Sequence, residues 1–506
     1  MLRRTLLAVL CVSVLVSPAS ATWSIVVVNR RTGEVGVASA TCVENIYLIG
    51  RLPVALPGLG GGVIQASGAF QDLVPMAQGL RARLSPADIL ALVQAAEPVV
   101  GELQTGIVAL YPGAPVTYSG RGTQTASGGV VGEVGDLAYS IQGNVLTGLG
   151  VVGMARDALL ATNGDLGQRL MAAMEAARAM GGDGRCSCNR GPRPTSCGSP
   201  PPSFRKSAHG AFVLVARIGD AQPPCLTGAD CQLASFHLSL NVRGRSPDPD
   251  PVLTMQSLYD AWRLERAGRP DGIRSTISAV AALPADGLTK RVVVVQLVDL
   301  EGVPLTQGGA TVRVASASGA RLNTSVSPVA DLGDGRYRFS LSASLRAGTD
   351  TFAITAEDGR VRATLYPYLE VRSEPPTALH VGIDRLSASA GGTAPFVLAL
   401  PGFEGARYLL LASASGSTPP SWVGHGIWLP LVRDPWFTLT RQFAGDARYL
   451  PGTRGVLDRM GRAEAALVAP PGVLVSLIGR RLSWAALAVS GARAVATEAV
   501  SFEIVP

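Results

Sequence analysis

After an apolar stretch at residues 5–16, the chain breaks into short apolar runs with the two-residue period of half-buried strands. Residues 23–29 and 34–41 read as strands joined by a turn at Arg30-Arg31-Thr32-Gly33, which makes a hairpin. A glycine-rich run at 58–62 precedes a strand at 63–66. Helical spacing then covers 73–84 and 87–96, with Ser85 as N-cap and Pro86 in the first helical position. Strands follow at 105–111 and 116–119. Helical periodicity resumes at 151–161 and 165–180 and stops at Gly181-Gly182; strands return at 210–216 and 236–242. A last helix, 252–266, ends before Gly268. Strands, helices, strands, helices, strands is the order expected when helices cover both outer faces of stacked antiparallel sheets.

From residue 290 the texture changes to alternating strands punctuated by Gly333-Asp334-Gly335 and Glu357-Asp358-Gly359. This reads as an immunoglobulin-like sandwich over 290–373, after a linker at 271–289. A Ser-Glu-Pro-Pro segment at 373–376 closes it, and 377–506, which holds four of the six tryptophans, reads as a second β-sandwich. The predicted fold class is therefore α+β: an αββα domain over 22–270, carrying a cysteine-rich insert at about 184–232 and a C-terminal helix, followed by two all-β sandwiches.

Composition narrows the class of protein. A length of 506 residues suits about three domains. The apolar fraction of 47% and mean hydropathy of +0.28 come from many short runs. Beyond the N-terminus none approaches the ~18–20 residues of a spanning helix, so no membrane span is expected in the mature chain. The formal charge is +7, but the basic residues are scattered arginines, with Lys206 and Lys290 the only lysines, so a nucleic-acid partner is not expected.

The N-terminus has the form of a secretory leader. Met1-Leu2-Arg3-Arg4 is positive, 5–16 is apolar, and Ser17-Pro18-Ala19-Ser20-Ala21 ends in a small-x-small pattern. The rival, an uncleaved anchor, would need a longer apolar stretch. Cleavage after Ala21 would make residues 1–21 a signal peptide, place the protein outside the cytoplasm or in the envelope, and leave Thr22 first. Of seven cysteines, Cys11 falls in the leader, and bulky Leu10 before it argues against a lipid-anchor site. Five of the other six crowd between Cys186 and Cys231. An exported context favours disulfides. The alternative is a zinc cluster, but no paired C-x-x-C spacing supports it, and neither metal nor cofactor is expected.

An N-terminal threonine carries special chemistry. Its hydroxyl is a nucleophile, and its own α-amine, with a pKa of ~7.7–8.0, can serve as general base once the preceding peptide bond is cut. The plain alternative is an ordinary small polar residue after a signal site. The surrounding motifs are Thr22-Trp23-Ser24-Ile25-Val26, Gly33-Glu34-Val35-Gly36-Val37-Ala38-Ser39, Gly60-Gly61-Gly62-Val63-Ile64-Gln65-Ala66, Ser140-Ile141-Gln142-Gly143-Asn144 and Gly181-Gly182-Asp183. Together they resemble a bacterial family of unknown function with an N-terminal nucleophile (Ntn) hydrolase-like fold, over residues 22–217. The resemblance implies an αββα sandwich with the mature N-terminus on a central strand facing a cleft. Cys42-Val43-Glu44-Asn45 departs from the basic and aromatic residues usual after the second strand, which puts a charge partner there in doubt.

Within this domain Asn144 is a candidate oxyanion donor, or else a turn residue after Gly143. Asp183 could orient the Thr22 amine, or else simply sit in the Gly182-Asp183-Gly184 turn. Ser39 and Gln142 are weaker candidates. His209 is a secondary one whose plainer reading is structural, and Lys206 reads as a surface lysine. No Ser-His-Asp triad, phosphate loop or His-rich metal site is evident. Two readings follow. One is a secreted Ntn-type hydrolase cutting an amide bond in a peptide, cell-wall fragment or acylated small molecule, with an extracellular or envelope substrate. The other is a non-catalytic surface or adhesion protein on the same scaffold.

Overall fold

The computed structural model of the chain describes residues 22–68, 70–188, 195–317, 324–344, 346–374, 378–424 and 426–506. The expected leader at 1–21, part of the cysteine-rich insert and the end of the 373–376 segment lie outside them. The chain divides into two compact units between Ala267 and Gly268.

The first unit is built on two antiparallel sheets. The larger contains β1 (Thr22–Asn29), β2 (Glu34–Thr41), β7 (Gly128–Val134), β8 (Leu137–Asn144), β9 (Gly210–Ala216) and β10 (Leu238–Val242), in the order β10-β9-β2-β1-β8-β7. The smaller contains β3 (Pro53–Leu56), β4 (Gly60–Ala66), β5 (Leu103–Ala109) and β6 (Val116–Ser119), in sequence order. Six helices are described: α1 (Leu73–Arg81), α2 (Pro86–Ala96), α3 (Gly150–Ala161), α4 (Leu166–Ala179), the single turn α5 (Gly184–Ser187) and α6 (Pro251–Arg266). Helices α3, α4 and α6 pack on the outer face of the larger sheet, and α1 and α2 on that of the smaller. The layers thus run helix, sheet, sheet, helix.

Strand alternation explains this layering. On β1, Trp23, Ile25 and Val27 join the core beneath α3 and α4, whereas Val26 and Val28 join a separate core between the sheets. Side-chain caps fix the helix starts. Ser85 Oγ accepts from Asp88 N at 3.2 Å, and Asp165 forms a reciprocal capping box with Gln168. Helix α4 ends in Gly181 (φ +96°) and Gly182 (φ +59°), a left-handed exit that β-carbon-bearing residues adopt at a cost.

Three local expectations change. Helix α1 stops at Arg81 rather than residue 84, because Arg83 turns left-handed (φ 56°) ahead of the Ser85 cap. The glycine run belongs partly to β4: a Cβ on Gly61 would meet Val54 O at 2.8 Å, and one on Gly62 would meet Gly106 O at 2.7 Å. These glycines let neighbouring backbones close up, which hydrophobic patterning does not reveal. Strands β3, β7 and β8 were not expected; β7 exposes about half its residues and is rich in glycine.

In the second unit, the stretch expected as a linker is structured. Thr276–Ile277 pairs with Lys290–Gln296, and Leu283–Pro284 pairs in parallel with Leu369–Glu374. Two sheets enclose a core of Val293, Val295, Tyr337, Phe339, Ile354 and Val371, forming a β-sandwich. The remainder forms a second sandwich, with Phe396 and Leu398 on one sheet facing Leu410, Trp484 and Phe502 on the other. It also carries one helix, Pro435–Gln442, capped by Asp434.

Among the described residues the six cysteines form three disulfides: Cys42–Cys186, Cys188–Cys197 and Cys225–Cys231. None of the described helices is long and apolar enough to cross a membrane.

Candidate functional site

Thr22 begins the central strand of the larger sheet and is 2% exposed. Its cross-strand neighbours are Thr41 on β2 and Asn144 on β8. The Thr22 nitrogen, an amide in the full-length chain, donates to Asn144 Oδ1 at 2.9 Å. The Thr22 hydroxyl donates to Thr41 Oγ1 at 3.3 Å. Asn144 is therefore a strand residue and not a turn residue, and its carbonyl oxygen grips the α-nitrogen.

The smaller sheet reaches across to the same strand. Gln65 Nε2 donates to Thr22 O at 3.0 Å and to Gln104 Oε1 at 2.6 Å, and Gln104 Nε2 donates to Gly143 O at 2.9 Å. Ser24 Oγ lies within hydrogen-bond distance of Gln65 Oε1 and of Ser39 Oγ, and Ser39 Oγ donates to Trp23 O at 2.9 Å. These groups are all buried. These bonds replace hydrogen bonds lost to water, so the polar cluster is tolerated between the sheets.

Asp183 is fully buried at the start of α5, where it accepts from Cys42 N at 2.7 Å and from Arg185 N at 3.0 Å, and pairs with the Arg185 guanidinium at 2.8 Å. Burial pushes its carboxyl above the ordinary value, opposed by Arg185 and by the two backbone N–H groups. The expected direct bond to the Thr22 amine is not made, because these donors take the carboxylate. It is linked to the site through Arg185, whose Nη2 also donates to Thr41 Oγ1 at 3.3 Å. The Cys42–Cys186 disulfide holds the end of β2 against this turn.

The secondary candidates separate. Ser39 belongs to the polar cluster. Gln142 lies beside it, its Oε1 accepting from Ser140 Oγ at 2.8 Å. His209 sits behind Thr41, with its backbone N–H donating to Thr41 O at 2.7 Å and its Nε2 3.7 Å from Glu44. Burial lowers its pKa, helped by nearby Lys206. His209 approaches Cys42 and Cys186, but both sulfurs are taken by the disulfide. Lys206 is buried and not a solvated surface lysine, its Nζ donating to Arg245 O at 2.8 Å and Asp248 O at 2.9 Å.

A cleft of about 250 Å³ opens onto Thr22, lined by Thr41 and Gln65, by the apolar Val43, Ile46, Leu48 and Leu52, and by Arg51 and Phe70. Thr41, Gln65, Gln104 and Arg185 were not singled out from the sequence. The signal available was phase: Thr22, Ser24, Ser39, Thr41, Gln65 and Gln104 occupy the alternate positions that carry valine further along the same strands, and Asn144 shares the phase of Ala138 on β8.

Residues 22–189 match the model of a family of unknown function, DUF1028, and residues 271–365 match that of invasin domain 3. No curated protein matches the chain significantly. Among solved structures, a Silicibacter pomeroyi protein of the DUF1028 family model is similar at 20% identity, covering 48% of this chain and 89% of that one, with a TM-score of 0.35. The Yersinia pseudotuberculosis adhesin InvE is similar at 18% identity, covering 45% and 58%, with a TM-score of 0.17. Invasin, a bacterial integrin-binding protein, is similar at 12% identity, covering 58% and 46%, with a TM-score of 0.19. The chain thus spans about half the length of InvE and of invasin. At such scores the neighbours add nothing to the strand order described above.

Proposed function

We propose that the first unit is an amide hydrolase of the N-terminal nucleophile type, made competent when the chain is cut before Thr22. The observation that carries this reading is the hold on Thr22 at the head of the central strand, with nitrogen and hydroxyl fixed separately by Asn144 and Thr41 at the floor of a cleft. Once freed, the nitrogen is an amine that keeps its bond to Asn144 Oδ1 and has a lone pair for the hydroxyl proton. Thr22 Oγ adds to the substrate carbonyl carbon while its proton passes to the amine. The C–N bond then breaks as the leaving nitrogen takes that proton, leaving an acyl ester on Thr22. Water, giving its proton to the same amine, releases the acid and restores the hydroxyl.

The sandwiches support a place for this activity at or beyond the cell envelope. The match of 271–365 to an invasin domain favours a surface role, presenting the hydrolase or binding an extracellular partner. The same match sustains the second reading, a purely adhesive protein.

The test is intact mass and N-terminal sequencing of the exported protein before and after an electrophilic acylating probe. The expected result is a chain beginning at Thr22 with one adduct on that residue, and none on Thr22→Ala. A different first residue, or a free Thr22 unlabelled by every probe class, would favour adhesion alone.

A further inference from the structure

The cleft over Thr22 has an asymmetric lining. Val43, Ile46, Leu48 and Leu52 supply an apolar wall, and Arg51 is its single charged lining residue. The guanidinium of Arg51 lies over the Phe70 ring, 5.0 Å from its centroid, and no hydrogen bond or ion pair to it is made among the described residues. Stacking on an aromatic face orients a guanidinium in its plane while leaving its N–H edge free to donate.

Phe70 is itself buttressed. It opens the short 3₁₀ turn Phe70–Asp72 that leads into α1, against which the Cys225–Cys231 loop packs. Within that loop Gly228 (φ +84°) lies so close to the Phe70 carbonyl that a Cβ would overlap it, and Cys225 Sγ contacts Leu73 O at 3.7 Å. The cysteine-rich insert thus fixes the platform on which Arg51 rests.

We infer that the cleft takes a small acylated amino acid or peptide end, with its free carboxylate on Arg51 and its apolar side chain on the Val43-Ile46-Leu48 wall. This rests on the hydrolase reading for the fate of the ligand, though not for its binding. A fork of N–H donors matches a carboxylate in two parallel bonds. The cleft lies near the lower limit, roughly 300 Å³, of sites that enclose small ligands, which suits a compact molecule better than a glycan strand.

The test uses the chain from residue 22 onward carrying Thr22→Ala, titrated by calorimetry with N-acetyl-leucine and with its carboxamide, which differ only in the charged group. The acid is expected to bind roughly 10- to 100-fold more tightly than the amide, and Arg51→Gln is expected to erase the difference. Equal affinities, a preference that survives Arg51→Gln, or no binding of either ligand would each overturn the inference. In the chain with Thr22 intact, Arg51→Gln should raise KM for an acylated amino acid by a similar factor with kcat little changed. Because Arg51 is exposed, its replacement should leave thermal unfolding unchanged. Acid preference without turnover would sink the hydrolase reading alone. Turnover of neutral amides as good as that of acids would sink only the carboxylate assignment.

Discussion

The two ends of the layer between the sheets of the first unit are made by the same strands, and they differ in kind. At one end Val26, Val28, Val35, Val37, Val63 and Val108 pack with Phe212 and Leu214. At the other, the same phase of the same strands carries Thr22, Ser24, Ser39, Thr41, Gln65 and Gln104, bonded across the sheets. Burying apolar area drives folding at the first end, at roughly 25 cal/mol per Å². At the second end, paired polar groups contribute little net stability but hold their atoms in fixed positions. One end therefore explains why the sheets stay together, and the other explains what they hold.

Substitutions can break this contrast. The largest effect is expected from Thr22→Ala, which should lower turnover by roughly 10⁶-fold, as loss of a nucleophile does elsewhere, while shifting stability by only about 1 kcal/mol. Rate and urea unfolding measured on the same sample would check it. Phe212→Ala at the valine end should do the reverse, costing about 3–5 kcal/mol in unfolding free energy through the cavity it leaves, with kcat per folded molecule preserved. A comparable loss of kcat in both variants would erase the distinction between the ends.

Asn144→Ala sharpens the comparison within the polar end. With the α-nitrogen no longer held, kcat should drop by roughly 10²–10³-fold with KM nearly unchanged. A change confined to KM would show that Asn144 serves substrate binding instead.

The smallest effect concerns pH. Burial raises the Asp183 carboxyl, so the folded chain holds that proton more tightly than the unfolded one. Its contribution to stability is present at low pH and is lost as pH rises through the raised folded value. The unfolding free energy of Asp183→Asn relative to the parent should accordingly improve as pH rises from about 4, the ordinary value for aspartate. The valines carry no titrating group, and Val37→Ala should change stability by the same amount across that range. A flat difference for Asp183→Asn would mean that Arg185 and the two backbone donors fully offset its burial.

Much of this unit could be read from the sequence because its strands are regular. Short apolar runs on either side of the Arg30–Gly33 turn marked the β1–β2 hairpin, and Ser85 and Asp165 marked helix starts that the structure keeps. Strand β3 is only four residues long, and β7 is glycine-rich and half exposed, so neither leaves an apolar signature. Thr22, Asn144 and Asp183 do gather near one point, but the sequence could not say which atoms meet. Asn144 Oδ1, rather than its amide N–H, faces Thr22 N, and Asp183 is linked to Thr41 one residue removed, through Arg185. Those choices depend on strand register and on Cys42–Cys186, whose partners stand 144 residues apart. In the second unit, the stretch at 271–289 looked like a linker because its strands are two residues long, below what periodicity can detect.

The central place of β1 also sets a clock. Its first residue leaves a ribosome or an export channel before any other part of the domain, whereas Asn144 follows 122 residues later. Until β8 arrives and the domain closes as a unit, the Thr22 nitrogen lacks the Asn144 side chain that holds it. On the hydrolase reading, exposure of Thr22 and acquisition of its power would thus be separated in time by the length of the chain between them, and partly delivered protein would stay harmless to its surroundings.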